Sequence, residues 1–272
     1  MKFLSKFYIL LTFLILYAPI LVVILFSFNK SGSLSHFSEF SLYWYKEFFR
    51  DSEAITALKN SLFLAVSSSI LATTIGTLAA SSIAHSKSKI YKSAMKSVSN
   101  IPMMNPDIVT GVSMMLLFVG IASFLGYGDC LGMWTMLLAH TTFNLPYVIL
   151  SVLPKFQQMD KHLVEAALDL GCTPAQTFFK VEFPCILPGI ISGLMMSFTL
   201  SLDDFVISHF VSSPDFKTLP LYIYNQTAHE VKFSMYALCT LMIVVILALL
   251  IAVNVANNRK SSNKNPSTGG VK

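Results

Sequence analysis

Long apolar runs constrain this chain more than any other feature of its sequence. Each run holds about 20 mostly apolar residues, the length that an α-helix needs to cross about 30 Å of hydrocarbon. The predicted segments are 8–28, 58–84, 98–125, 131–153, 186–210 and 234–256. Charged residues make up 12% of the chain, about half of the share found in typical soluble domains. The sequence therefore predicts an all-α, polytopic protein with six transmembrane helices in the lipid bilayer.

The first segment, Tyr8 to Phe28, follows Lys2 and Lys6 and so resembles a secretory signal peptide. Its apolar run is longer than the core of a signal peptide, which holds about 7–15 residues. Its end also lacks the pattern of small residues that signal peptidase needs. We interpret this segment as a helix that is retained in the mature protein.

The basic residues indicate which loops lie in the cytosol. One set of loops carries 13 of the 19 Lys and Arg residues, and the other set carries six. The richer set comprises both termini, the 85–97 loop and the 154–185 loop. Cytosolic loops of membrane proteins carry the excess of Lys and Arg, so this set is predicted to be cytosolic. The net charge of +5 is thus explained by topology and requires no nucleic-acid partner.

The predicted segments divide the chain into three regions. Residues 1–57 hold the first helix and an outer aromatic loop, and 58–256 hold a five-helix core with the cytosolic loop 154–185. Residues 257–272 are rich in Ser, Asn and Lys, and this composition predicts a disordered cytosolic tail.

The cytosolic loop contains a pattern typical of two short helices. Glu165–Ala167 are strong helix formers, and Gly171 follows them. Thr173 and Pro174 then suit the N-cap and the first position of a second helix. We expect this second helix to end before Pro184, where the fifth segment opens, so that a bend at Gly171 joins two short helices.

The whole loop resembles the EAA motif of ABC importer permeases. That motif reads EAA, three residues, Gly, nine residues and then Ile-x-Leu-Pro, and Val181–Pro184 match its end with Val and Phe in place of Ile and Leu. The resemblance implies a type I ABC importer (MetI-like) permease fold and docking to an ATP-binding subunit dimer. It implies that Glu165, Ala166, Ala167 and Gly171 form the docking surface, with small alanines for close approach and glycine for the bend.

Two carboxylates, Asp203 and Asp204, lie in the fifth predicted segment. An ionised Asp near the centre of a transmembrane helix costs about 2.5–3.5 kcal/mol, so such residues usually face a pathway or a partner. Adjacent residues on a helix point about 100° apart, so one of the two faces the pathway while the other bonds a neighbouring helix. The alternative is that both lie at an outer helix end in contact with water.

A third carboxylate, Asp107, lies in the run Ile101–Asp107, where two prolines are predicted to interrupt the third segment. Broken helices often form the binding sites of transporters. Asp107 therefore either lines the substrate pathway or caps the second half-helix, where the helix dipole favours an anion.

The outer loop from Phe37 to Phe49 is rich in aromatic residues. It either forms an interfacial helix at the lipid headgroups or turns Trp44 toward the pathway, where a cation–π contact contributes about 0.5–2 kcal/mol. In the fourth segment, His140 and Asn144 are predicted to hydrogen-bond between helices. Acidic and aromatic groups along a pathway favour a cationic substrate.

The segments Asn105–Val109 and Ser201–Val206 resemble the PotC-type permeases of spermidine/putrescine ABC transporters. This resemblance implies a polyamine substrate, a homologous second permease subunit, two ATPase subunits and an extracytoplasmic polyamine-binding protein. It implies a bacterial inner membrane protein with both termini in the cytoplasm. The alternatives are an ABC permease for another small solute and an ion-driven secondary transporter.

No sequence motif indicates an enzyme, a cofactor or a metal site. The chain has no GxxxxGK[ST], HExxH or GxSxG pattern. Its cysteines, which lack CxxC spacing, are Cys130, Cys172, Cys185 and Cys239. A permease of this kind is not itself an enzyme, and a separate subunit hydrolyses ATP.

Overall fold

The computed structural model describes residues 2–33, 36–126, 128, 131–228 and 232–262. Its helices are α1 (Lys2–Ser27), α2 (Tyr43–Arg50), α3 (Ser52–His85), α4 (Lys89–Met104), α5 (Asp107–Phe124), α6 (Met133–Gln158), α7 (Lys161–Asp169), α8 (Pro174–Thr177), a π-helical turn (Phe178–Glu182), α9 (Phe183–Asp203), α10 (Val206–Val211), α11 (Leu219–Thr227) and α12 (Phe233–Ser262). Five helical stretches are long and apolar enough to cross a membrane, and α12 adds the shorter apolar stretch Phe233–Ala248. The predicted all-α membrane class is confirmed.

The chain divides into two compact units. One unit is Ala57–Tyr222, and the other combines Met1–Thr56 with Ile223–Lys272. The first unit contains α4 to α10 and nearly all of α3. The three functional regions inferred from the sequence remain a prediction.

In the unit Ala57–Tyr222, α6 and α9 pack closely along a seam of small residues. Buried small residues recur every four positions along α9, at Gly189, Gly193, Ser197 and Ser201. A Cβ atom added at Gly189 would lie 2.8 Å from the Ser151 carbonyl oxygen of α6. Small side chains let helix backbones approach this closely, as is common between membrane helices.

Helix α3 completes the core around this seam. The buried hydrophobic cluster contains residues of α3, α6 and α9, namely Ala72, Ala80, Ile83, Val148, Ile149, Val152, Leu153, Phe156 and Ile186. Gly76 of α3 lies against Val148 of α6, since a Cβ atom there would meet Val148 Cγ1 at 2.7 Å. The three helices thus form one packed core.

The third predicted segment is interrupted as expected, but at one proline. The chain is extended at Asn105, between α4 and α5. Pro106 disfavours a helical conformation at the residue before it and lacks a backbone N–H, which accounts for the break. Pro102 lies inside α4, whose described residues are all at least partly exposed. The helix long enough to span therefore begins at Asp107 rather than at residue 98.

In the other unit, Asn29 organises the loop after α1. Its amide nitrogen donates to the carbonyl oxygens of Ser33 and His36, at 2.8 and 3.0 Å. Its side-chain oxygen accepts from the Ser38 backbone N–H at 3.0 Å. The side chain is fully buried, so the loop folds around it. In the same unit, α12 packs against α1 and α2.

Helix α12 continues to Ser262, six residues beyond the predicted end of the last segment at 256. The remaining residues of the predicted disordered tail, 263–272, lie outside the described residues.

Candidate functional site

The connection between α6 and α9 begins with the short helix α7. Asp160 caps it, because its Oδ1 accepts a hydrogen bond from the His162 backbone N–H at 3.0 Å. Glu165 and Ala166 are exposed on this helix, whereas Ala167 is only 7% exposed. Two of the three residues in the EAA sequence are therefore open to a partner, and the third packs inside.

Gly171 ends α7 with a Schellman turn. The Cys172 N–H donates to the Ala167 carbonyl at 3.1 Å, and the Gly171 N–H donates to the Leu168 carbonyl at 2.9 Å. Gly171 has a φ of +83°, a left-handed conformation that favours glycine. No atom lies within 4 Å of a Cβ placed there. Glycine is therefore required by the backbone conformation and not by lack of space, which agrees with the predicted bend.

Thr173 starts the next helix with a capping box. Its hydroxyl accepts from the Gln176 backbone N–H at 3.3 Å, and its own N–H donates to Gln176 Oε1 at 3.0 Å. Pro174 occupies the first helical turn. The predicted N-cap is confirmed.

The second helix of the loop is not a separate short helix, and that expectation was wrong. The helical path runs without interruption from Pro174 to Asp203. A π-helical turn, Phe178–Glu182, comes just before Pro184, and the Phe183 N–H donates to the Phe178 carbonyl five residues earlier. Proline removes one helical hydrogen bond, and the wider turn accommodates this without ending the helix. The loop from Asp160 to Glu182, which we call the docking loop after the role proposed below, is therefore continuous with α9.

Exposed apolar side chains surround this loop. Leu170 is 86% exposed and Phe179 is 67% exposed, and Leu163 and Leu168 are also exposed. On a loop that faces water, exposed large apolar side chains favour contact with a partner over a solvated face. We call these four residues the docking patch.

At the other end of α9, Asp204 stabilises the start of α10. Its carboxylate accepts from the backbone N–H groups of Ile207 and Ser208, at 3.3 and 2.8 Å. Its Oδ2 also lies 3.5 Å from Nε2 of His140, and only 8% of its side chain is exposed. Asp204 thus bonds neighbouring helices, as was expected for one member of the Asp pair.

His140 is the centre of a buried polar cluster. Its Nδ1 lies 2.8 Å from the Ser201 hydroxyl, which lies 2.9 Å from the Ser68 hydroxyl. Its Nε2 lies 3.3 Å from the Ser208 hydroxyl. We call His140, Ser68, Ser201, Ser208 and Asp204 the polar cluster. It joins α3, α6, α9 and α10, so the prediction that His140 bonds between helices is confirmed.

Asp203 and Asp107 are both exposed. Asp203 is the last residue of α9, and Asp107 is the first residue of α5. Gly111, one turn or about 6 Å after Asp107, packs against the backbone of Val206 and Ile207. Asp107 therefore lies one helical turn before the point where α5 meets the start of α10, and Asp203 lies three residues before α10 begins.

Trp44 lies in the other unit, on α2. Its indole N–H donates to the Asn29 carbonyl oxygen at 2.8 Å. Its ring packs against Phe233, with ring centroids 5.7 Å apart. Trp44 is therefore held by its own unit through both its polar and its apolar atoms.

Asn144 does not form the predicted hydrogen bond between helices. Its side chain is fully buried, and neither its amide nitrogen nor its oxygen has a hydrogen-bond partner among the described residues. The register of α6 against α9 explains this. His140 meets Ser201 and Val148 meets Gly193, so Asn144 lies opposite Ser197, whose short hydroxyl is also without a partner in the described part of the chain.

The three described cysteines form no disulfide with one another. Cys172, Cys185 and Cys239 are free thiols, and Cys130 lies outside the described residues. Within the part of the chain that the structure describes, no three His, Cys, Asp or Glu side chains gather where they could hold a metal ion.

One pair of residues was missed by the sequence analysis. His85, the last residue of α3, has its Nε2 2.8 Å from Oε1 of Glu182 in the π-helical turn. The available signal was Glu182 itself, a charged residue between the apolar residues Val181 and Phe183 at the entry to a membrane helix. Nothing in the sequence identified His85 as its partner.

Comparison with known proteins agrees with this arrangement. The sequence model of the family described as "binding-protein-dependent transport system inner membrane component" matches residues 72–263. The chain belongs to this family. The matched range includes α7, the Gly171 turn and the polar cluster except for Ser68.

Curated relatives match over most of the chain. The putrescine transport system permease protein PotI of Escherichia coli (strain K12) is 37% identical over 235 residues, covering 86% of this chain and 84% of that protein. The spermidine/putrescine transport system permease protein PotC of Haemophilus influenzae is 36% identical over 249 residues, covering 92% and 94%.

Solved structures confirm the fold. A bacterial ABC transporter that imports the acidic polysaccharide alginate has a chain with a TM-score of 0.76 and 18% identity, covering 97% of this chain and 96% of that one. The predicted ABC importer permease fold is confirmed, and the family resemblance drawn from the sequence is also confirmed. A fold shared with an alginate transporter carries no information on this chain's substrate.

Proposed function

We propose that this chain is a permease subunit of an ATP-driven importer that moves putrescine or spermidine across a bacterial inner membrane. The observation that carries the proposal is the capped, glycine-bent loop with its exposed docking patch, directly continuous with a membrane helix. The names of the relatives PotI and PotC support the substrate class. The exposed carboxylates Asp203 and Asp107 support a cationic substrate, because carboxylates bind ammonium groups.

The docking loop is proposed to bind a separate ATP-binding subunit dimer. Glu165, Ala166, Ala167 and Gly171 form the surface with the docking patch around them. The excess of Lys and Arg in the 154–185 loop and at both termini supports a cytosolic position for all three. In this proposal the chain itself is no enzyme, and ATP hydrolysis occurs in the partner.

The three carboxylates are proposed to have different roles in the pathway. Asp203 and Asp107, both exposed, contact the ammonium groups of the substrate. Asp204, with both oxygens engaged by backbone N–H groups, shapes the site and adds negative charge to it. Trp44 is the fourth proposed pathway residue, with its ring orientation fixed by Asn29.

The complete importer is proposed to include a homologous second permease and an extracytoplasmic polyamine-binding protein. One solved relative in fold was captured with a periplasmic protein bound to its oligosaccharide, which supports a partner of this kind at the outer face. The binding protein delivers the substrate, and closure of the ATPase dimer reorients the membrane helices.

The proposal is tested by reconstituting this chain into vesicles together with the second permease, the ATP-binding subunits and the binding protein. Uptake of labelled putrescine and spermidine is expected to need ATP and to survive collapse of the proton gradient. Uptake that persists without ATP but stops with the gradient would establish an ion-driven transporter instead. Uptake of another solute in preference to both polyamines would reject the substrate class alone.

A further inference from the structure

Glu182 is a buried carboxylate at the junction between the docking loop and the membrane core. Its side chain is 4% exposed, and it is the last residue of the π-helical turn. Its Oε1 lies 2.8 Å from Nε2 of His85, at the end of α3. Its Oε2 has no hydrogen-bond partner in the described part of the chain. His85 is therefore the group that neutralises this buried acid among the residues described.

The geometry of His85 limits where the protons can lie. Its Nδ1 is 2.8 Å from the Ser81 carbonyl oxygen, which can only accept, so Nδ1 carries a hydrogen. A second proton must lie between Nε2 and Glu182, either on an imidazolium donating to a carboxylate or on a carboxylic acid donating to imidazole. Both forms make the pair electrically neutral. The ring also packs against Phe156, with centroids 5.9 Å apart, which fixes its orientation.

The π-helical turn is an irregular point of the helical path from Pro174 to Asp203. Its wider hydrogen-bonding pattern is rare, and Pro184 cannot donate a backbone hydrogen bond. Helices bend at such positions. A force on the docking loop could therefore be absorbed by bending here, without moving α9.

The same two helices are joined a second time, at the middle of α3 and near the other end of α9. Ser68 of α3 hydrogen-bonds Ser201 of α9 at 2.9 Å, inside the polar cluster. Along α3, Ser68 and His85 are 17 residues apart, or about 26 Å of helix. Along the helical path from Pro174 to Asp203, Glu182 and Ser201 are 19 residues apart, or about 29 Å. The two side-chain bonds thus tie this antiparallel pair at two separate points, one of which is the end of α3.

We propose that the His85–Glu182 pair is a mechanical link that braces the π-helical turn and makes α3 and α9 move together when the docking loop moves. The inference rests on the proposed function of the loop. The loop reaches α9 through the backbone and α3 through this pair. The Ser68–Ser201 bond then carries the movement of both helices to the polar cluster beside Asp203. His85 and Glu182 are positioning residues, and neither contacts the substrate.

The test removes both partners at once, because removing one leaves a buried group without its partner. The variant His85→Phe with Glu182→Leu keeps a ring against Phe156 and fills the site of the acid. The complete importer is reconstituted, and polyamine uptake and ATP hydrolysis are measured together. We expect the ATPase subunit to co-purify and to hydrolyse ATP, while the uptake per ATP hydrolysed falls at least tenfold. A purely structural pair predicts a normal ratio at lower protein yield.

Lys87→Gln is the matched control, since Lys87 is exposed and lies two residues beyond His85. It is expected to leave the ratio unchanged. Glu182→Gln is nearly isosteric and can still hydrogen-bond a neutral His85, so this variant is expected to fold. It therefore tests the link even if the double variant fails to insert in the membrane. Because hydrogen bonds between neutral groups are roughly half as strong as charge-assisted ones, its ratio is expected to fall about two- to fivefold.

An unchanged ratio in the double variant, or in Glu182→Gln if the double variant is not inserted, overturns the link. Failure of the wild-type chain to retain an ATPase subunit would instead reject the proposed function. The two failures are therefore distinguishable.

Discussion

At one end of α9 the docking loop is shaped by bonds between residues close in the sequence, whereas at the other end the polar cluster is shaped by bonds between distant helices. The hydrogen bonds of the Gly171 turn span three and five residues. Those of His140 and Ser68 to Ser201 span 61 and 133 residues. The first end exposes apolar side chains, and the second buries polar ones. A local motif can thus build a surface for a partner, but a polar site inside a bundle depends on the whole core.

The largest loss of transport is expected from a substitution at the exposed end, Glu165→Lys. The charge reversal on an accessible face of α7 is expected to reduce ATP-driven uptake to background, by 100-fold or more, with the chain still inserted in the membrane. Co-purification of the ATPase subunit should be lost, because reversing a charge inside an interface disrupts its electrostatic complementarity.

Glu165→Gln is the conservative control for this change and should retain most of the activity. Undiminished uptake by Glu165→Lys at normal membrane levels would remove the docking assignment.

His140→Leu is expected to have the largest effect on stability. It leaves the Asp204 carboxylate, which is 8% exposed, without its facing imidazole. Leaving buried polar groups without a hydrogen-bond partner typically costs about 1–3 kcal/mol, and a loss of this size should appear as a lower midpoint of thermal unfolding in detergent. His140→Gln, which can still bond Ser201, should lose less than half as much. Equal midpoints for His140→Leu and wild type would contradict the importance of the polar cluster.

Asp203→Asn and Asp204→Asn should separate an effect on substrate binding from an effect on stability. Asp203 is exposed, so its substitution is expected to raise the KM for spermidine about tenfold with an unchanged unfolding midpoint. Asp204 accepts two backbone hydrogen bonds, one on each oxygen, whereas Asn has a single acceptor oxygen. Its substitution should therefore lower stability by about 1 kcal/mol, the net contribution of one hydrogen bond, and reduce uptake as well. Kinetics of labelled spermidine uptake, together with thermal unfolding, check both. Identical behaviour of the two variants would reject the division of roles.

Gly171→Ala tests the turn in the docking loop, and its expected effect is smaller. A non-glycine residue in the left-handed conformation costs about 1–2 kcal/mol, so uptake is expected to fall about five- to tenfold as the turn opens. Gly171→Asn should fall less, because Asn adopts this conformation more readily. If Ala and Asn give the same uptake as glycine, backbone conformation does not limit docking.

Asn144→Leu should have the smallest effect. The buried amide has no partner among the described residues, so an apolar side chain of similar size is expected to be neutral or stabilising, within about 1 kcal/mol. Thermal unfolding of the purified chain measures this. A loss of several kcal/mol would mean that Asn144 is hydrogen-bonded in the membrane.

Features that depend on residues close in the sequence could be predicted, whereas features that depend on contacts between distant helices could not. The Asp160–Thr173 region could be predicted because caps, glycine turns and proline effects depend on a few neighbouring residues. The break at Pro106 was predictable for the same reason. The continuation of the helix through Pro184 was not, since it depends on a π-helical turn that the sequence does not indicate.

The sequence predicted that polar residues bond between helices, but it did not identify their partners. His140 was expected to bond a neighbouring helix, but its partners Ser201 and Ser208 follow only from the register of α6, α9 and α10. The same register leaves Asn144 without the bond that was expected. The His85–Glu182 pair joins residues 97 positions apart, and a single sequence contains no measure of that distance. The pathway and docking roles of individual residues remain predictions.

The glycines of α9 have a consequence for how these helices can move. At Gly189 the backbones of α6 and α9 are so close that even a methyl group would collide with the Ser151 carbonyl oxygen. Two rods in such close contact have no room to slide past each other, and parting them would sacrifice much of their packing. Any rearrangement of this unit must therefore carry α6 and α9 as one piece and take place where other helices face them.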